Sequence, residues 1–243
     1  MVVQHPHSTT PAGGQGRSEP AKALQASLAR LERLTATAAS DVASTTYLFG
    51  QAAGRLSILA ASLSAESASG AIGARAASTY DQVAAASGAV AGLRTTYMIE
   101  AARVEAMLAA LQRPGGMIDL RDPYRPPLDT LLEGASDAEA RVLAAPALLQ
   151  TPLRRVVGVL DHAGVRIVLG ATDVGTVEAA RAALYGWRLK ELARLFQDVA
   201  GAIDTYHQGI LAGMAALRRE LEQAGARQAA SQGPAAFVEG VGS

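Results

Sequence analysis

Arg121, Tyr124 and Arg125 form the one constellation in this sequence whose residue types and spacing suit recognition chemistry. They stand in Arg121-Asp122-Pro123-Tyr124-Arg125-Pro126-Pro127, a proline-stiffened stretch that places two guanidinium groups on either side of a phenol ring. Guanidinium groups pair with phosphate oxygens and a base stacks on an aromatic ring, so RNA is the partner this pattern suits. The same residues also fit a plain loop, with Tyr124 packed on the body and the arginines paired with Asp119 and Asp122. Arg154-Arg155 is a second basic pair that would extend a phosphate-binding groove. Arg218-Arg219, followed by Glu220 and Glu222, reads instead as a solvated helix end.

Catalytic chemistry has no comparable signature. Cysteine is absent, which removes thiol nucleophiles, thiolate metal sites and disulfides together. His5, His7, His162 and His207 are scattered and no H-E-x-x-H occurs, so no metal site is expected. Neither a phosphate-cradling glycine loop nor a G-x-S-x-G nucleophile elbow is present. Asp161-His162 is the only adjacent acid–base pair, and at a helix C-terminus a histidine complements the dipole without any catalytic duty. No catalytic residue and no cofactor is expected, and the chain reads as a non-enzyme.

The elements that would position these groups are helical. Apolar residues make up 49% of the 243 positions, yet only 4% are aromatic, and alanine alone accounts for roughly a fifth, well above ordinary usage. Alanine buries little surface, but it has the best helix propensity and lets helices approach closely. Charges balance at 22 against 22, so no net field draws the chain toward nucleic acid or an anionic membrane. Only Lys22 and Lys190 are lysines. Arginine's planar fork suits phosphate and carboxylate, although GC-rich codons produce the same bias. No secretory leader is visible, and no uncharged apolar stretch approaches the roughly 18 residues of a membrane span, which predicts a soluble or peripheral protein.

Residues 1–18 hold Pro, Gly, Ser, Thr, Gln and His without periodicity and read as a flexible arm, as does 225–243 apart from Phe237-Val238. The body, 19–224, divides into an αα-hairpin over 19–112, an irregular middle with short helices over 113–171, and a long helix over 172–224. Ser18-Glu19-Pro20 starts the first helix, with Ser40-Asp41 a possible break, and Gly70 to Gly73 the turn. Pro114-Gly115-Gly116 stops the second helix. Ser136 with Glu139 makes a capping box, Thr151-Pro152 starts a further short helix, and Val165–Leu169 between Gly164 and Gly170 is the one strand-like run. Thr172 or Thr176 caps the last helix. Its stripe from Val177 through Leu184, Trp187, Leu192 and onward to Leu221 averages about 3.67 residues per step, nearer an eleven-residue repeat than a heptad.

The expected fold class is therefore all-α: a long helical hairpin plus a long C-terminal helix in an extended bundle, with at most one short strand. Tyr47, Trp187 and Tyr206 fall on apolar stripes and are expected in the core. Trp187 is also, with Phe237 and Val238, a candidate for contact between subunits.

Pro, Ala and Ser together make up roughly a third of the chain, and in this the sequence resembles the proline-alanine-serine-rich proteins of polymycoviruses. That resemblance is compositional, spans the whole chain and implies a protein that coats double-stranded RNA segments. It leads to the expectation of a structural coat or nucleocapsid-type protein that self-assembles into a filamentous or capsid-like particle around viral RNA, in the virion or host cytoplasm. Filamentous plant-virus coat proteins are similar in having a helical body and arms. A second expectation is a soluble cytoplasmic bacterial helical secretion substrate or partner-binding scaffold. The hairpin resembles actinobacterial type VII substrates, but no W-x-G lies between the first two helices, and Tyr97-Met98-Ile99-Glu100 has its Glu one place early for Y-x-x-x-[DE]. A lipid-granule surface protein using amphipathic helices ranks third.

Overall fold

Long helices form here because alanine-rich segments lack internal prolines over whole windows, and glycine or proline clusters fall between them. The computed structural model describes residues 18–69, 77–113, 123–144, 146–171 and 175–231. Among them it has five helices: α1 (Ser18–Ser69), α2 (Ala77–Leu111), α3 (Arg125–Ala144), α4 (Pro146–Gly170) and α5 (Thr176–Ser231). No strand occurs among the described residues. The Gly70–Gly73 turn, the Pro114-Gly115-Gly116 stop and both terminal arms up to residue 17 and beyond 231 lie outside them.

At about 1.5 Å per residue, α1 and α5 run close to 80 Å each. They lie antiparallel: Arg30 near the start of α1 pairs with Glu220 near the end of α5, and Glu66 at the far end of α1 lies 3.7 Å from Arg181. Gln112 Nε2 donates to Thr35 Oγ1 at 3.0 Å, so α2 runs back along α1. Neither α3 nor α4 is long enough to match α5, but both pack on it in succession and together make the remaining rod, third in chain order. The result is an up-down-up-down four-helix bundle whose third rod consists of α3 followed by α4.

Burial recurs every seven residues on all four rods. On α5 the positions are Ala182, Leu189, Phe196, Ile203, Ile210 and Leu217; on α2, Val83, Val90, Tyr97, Val104 and Leu111. The third rod keeps step from α3 into α4, with Leu128, Ala135, Val142, Leu149, Val156 and Ala163 all buried. A seven-residue recurrence is that of a left-handed bundle, which corrects the eleven-residue reading of α5. The sequence stripe went out of phase at its start, where Val177, Leu184 and Trp187 are exposed and the inward positions belong to Ala182 and Gly186. Small residues carry little hydrophobic signal, yet they let the backbones meet.

Several expected breaks are absent. α1 passes through Ser40-Asp41 because Ala38 and Thr45 are buried on either side. The irregular middle is mostly two helices. Ser136 is not a cap but a mid-helix residue whose Oγ donates to the Leu132 carbonyl at 3.0 Å, since α3 already began at Arg125 with Pro126-Pro127 in its tolerant first turn. Pro152 does not start a helix; it sits inside α4 and leaves the Leu148 carbonyl without its amide partner. Burial of Leu149, Leu153 and Val156 carries the helix past it.

Val165–Leu169 is helical, not strand-like. Ala163 and Ile167 are buried while Val165, Val168 and Leu169 face out, a helical period that tertiary packing imposes over β-propensity. Gly164, read as a boundary, is instead a contact point. A Cβ built on it would meet the Gly186 carbonyl oxygen of α5 at 3.0 Å. Finally α5 continues to Ser231, past the expected end near Gln223 and into the segment read as the C-terminal arm.

Candidate functional site

Two features stand apart from ordinary core packing: a polar layer at the middle of the bundle and an apolar groove on its surface. The core divides into two apolar clusters. One holds Phe49, Tyr97, Leu153, Phe196 and Ile203 toward the α1–α2 turn, the other Leu31, Val104, Leu131, Tyr206 and Met214 toward the open end. In the first cluster Phe49 meets Tyr97 with ring centroids 6.3 Å apart and Phe196 edge-on at 6.4 Å, pairs worth about 0.5–1.5 kcal/mol each beyond area burial.

Where the two clusters meet lie Thr45, Tyr97, Tyr206 and His207, from three helices, at the level where α3 gives way to α4. Gln150 Nε2, early in α4, donates to the Ala200 carbonyl at 2.8 Å and fixes the level. Tyr97 Oη, Tyr206 Oη and His207 Nδ1 are buried without a hydrogen-bond partner of acceptable geometry, although the Thr45 hydroxyl lies against the Tyr97 phenol. Burial pushes both phenols upward, with the Asp41 and Glu105 carboxylates adding to it. At the far end of α1, burial first and Glu66 second push Tyr80 up to about 12.

His207 is 1% exposed, and its burial pushes the imidazole below its ordinary pKa against the weaker opposing pull of Asp204 and Glu100. The unfolded chain therefore takes up a proton at this residue near pH ~6.5, while the folded chain resists until lower pH. Its contribution to stability is present above that range and is lost as pH falls through it. Urea midpoints at pH 7.5 and 5.5 should fall more for the native chain than for His207→Met, which copies the Met214 found one heptad on. Equal losses in the two proteins would refute the assignment.

The groove lies between α1 and the first half of α5. Arg55, Ile58 and Ser62 face Trp187, Arg188 and Glu191 across a depression of about 250 Å³. Ile58 is 71% exposed and Trp187 57%, and Val177 and Leu184 extend the apolar strip along α5. Trp187 and Tyr47, expected in the core, are thus on the surface, while Tyr206 is buried as expected. Trp187 faces out because Gly186 takes the inward position against Gly164. Above the groove Glu66 accepts a hydrogen bond from Tyr185 at 3.4 Å and an ion pair from Arg181.

The basic residues do not converge. Arg121 lies outside the described residues. Tyr124 is half-buried and Arg125, first residue of α3, lies 3.7 Å from Asp129 one turn on. Arg154 and Arg155 are exposed on α4, on the order of 40 Å along the rod from Arg125. Arg125 therefore shares no groove with Arg154 and Arg155. Phe237 and Val238 lie outside the described residues. Among the described residues no three His, Asp or Glu side chains are placed to hold a metal, and no helix is long and apolar enough to cross a membrane.

The chain matches no protein-family model, no curated protein and no solved structure. Its function must therefore be read from its own surface. His207, Tyr97 and Thr45 were missed by the sequence reading as a group because they lie far apart in the chain, and only the antiparallel packing brings them level. Seven-residue phase counting from Tyr97 and Tyr206 is the one signal that could have found them.

Proposed function

We propose that this chain is a non-catalytic structural protein that assembles side by side with further copies of itself, the broad role of a coat or scaffold protein. The observation that carries this reading is the exposed apolar strip of Ile58, Leu184 and Trp187 on a bundle whose long helices run close to 80 Å. A large aromatic beside an aliphatic, rimmed by Arg55, Arg188 and Glu191, has the make-up of an interface centre with a polar rim. Both signs of charge stand on that rim, so it can complement its own copy. Alanine-rich rods with balanced charge also pack laterally without net repulsion. The separation of Arg125 from Arg154 and Arg155 gives RNA no shared groove on the described surface, so an RNA-coating form of this role rests on composition and on Arg121.

Sedimentation of the purified chain at several concentrations is expected to show dimers or larger species. Trp187→Glu should weaken association by about 30-fold or more, since truncating a central aromatic anchor costs about 2 kcal/mol, while the helix signal and urea midpoint stay within error. A native chain that remains monomeric at all concentrations would refute the proposal. Adding double-stranded RNA at low and high salt separates the RNA-coating form, whose affinity must fall with salt.

A further inference from the structure

A second apolar groove lies at the other end of the bundle, where the first turns of α3 cross the last turns of α5. Leu128 and Leu132 of α3 form its floor with Leu221, and Gly225 and Ala229 form its α5 wall. Its volume is about 290 Å³, well above the roughly 150 Å³ that admits a benzene ring. Nothing stands within 4 Å of where a Cβ on Gly225 would lie, so this wall is open. We infer that this groove is the seat of the chain's own Phe237-Val238.

The reach favours that occupant. Ser231 ends α5 only two residues beyond Ala229. Gly233-Pro234 follows in the sequence, a pair whose residue types disfavour continuing a helix. Phe237 stands six residues past Ser231, a span of up to about 20 Å, and Gly225 stands about 9 Å back along α5 from Ser231. The level of Gly225 and Leu132 is therefore within reach of Phe237. Competing segments fit less well. On the N-terminal side no bulky apolar residue occurs between Val3 and Ser18, so Val3 must span fifteen residues to do what Phe237 does in six. The α1/α5 groove is out of reach for Phe237 of the same chain: Trp187 lies about 66 Å along α5 from Ser231, against about 20 Å for six extended residues. A short tether also gives the chain's own segment an effective concentration that a second copy must exceed.

The absence of cysteine makes the test clean. In the full-length chain, Asp129→Cys at the groove rim and Val238→Cys beside the anchor are combined, leaving Phe237 in place. Mild oxidation at low protein concentration is expected to give an intramolecular disulfide, read as a monomer with altered mobility on a non-reducing gel. Phe237→Ala in the same background should slow its formation by about tenfold or more, because the ring no longer holds the segment in the groove. A control pair with Ser57→Cys in place of Asp129→Cys should not close. Absence of the intramolecular disulfide, a disulfide dimer as the main product, or a rate indifferent to Phe237→Ala would each overturn the inference; circular dichroism and the urea midpoint establish that every variant is folded.

Discussion

Gly186→Ala is expected to destabilise the bundle by about 1–3 kcal/mol, whereas Gly201→Ala on the same helix should stabilise it by about 0.5–1 kcal/mol. Alanine is the better helix former at both positions, so propensity alone predicts a gain at each. What differs is the neighbour. A Cβ at Gly186 would lie 2.9 Å from the Gly164 carbonyl oxygen and 2.5 Å from Val168 Cγ2, and the backbone atom cannot swing aside as a side chain can. α4 and α5 would have to separate along their most intimate contact, loosening Leu160, Ala163 and Ile167 against Leu189 and Ala193. At Gly201 nothing lies within 4 Å of the added methyl. Urea denaturation of the two single variants decides it, and shifts of the same sign would show that the close approach does not constrain the packing.

Tyr206→Ala should cost about 3–5 kcal/mol, while Tyr206→Phe should cost less than about 1 kcal/mol or add stability. Removing the ring leaves a hole at the centre of the bundle, beside Tyr97 and His207. Removing only the hydroxyl takes away a buried oxygen that has no hydrogen-bond partner, and an unsatisfied buried group is a cost. The pair of variants thus separates what the ring contributes from what the hydroxyl does. Were Tyr206→Phe to cost 2 kcal/mol or more, the hydroxyl would have a partner, such as a buried water bridging it to Tyr97 or His207. The same measurement on Tyr97→Phe extends the test to the other phenol, which has the Thr45 hydroxyl beside it.

These two predictions concern places where neighbours, not residue type, set the outcome, and such places are where sequence reading went astray. Ser18-Glu19-Pro20 opened α1, and α2 ended at Leu111, one residue short of the expected hairpin end at 112, because starts and long alanine-rich runs are local properties. Ser136, Pro152 and Val165–Leu169 looked like a cap, a start and a strand for equally local reasons. In each case burial of flanking residues against α5 overrode the local preference. Trp187 looked like core because it is large and apolar. It faces out because Gly164 and Gly186 need the inward position, and a glycine pair separated by more than twenty residues gives no periodic signal.

The candidate site was legible only in fragments. Trp187 was singled out for contact between copies, but Ile58 and Leu184, which share its strip, acquire meaning only once α1 and α5 lie antiparallel. Arg125, Arg154 and Arg155 were legible as chemistry, but roughly 40 Å of rod separates Arg125 from the other two. By itself the sequence determined that this chain is helical, that its helices are unusually long, and that thiol chemistry is excluded; these follow from composition and from where glycine and proline fall. The tertiary structure decided which face of each helix is buried, which helices run on through apparent stops, and which aromatic is left outside. Alanine and glycine cover so many positions that hydrophobic contrast along the chain is weak, and the choice of face then rests on how closely two backbones can approach.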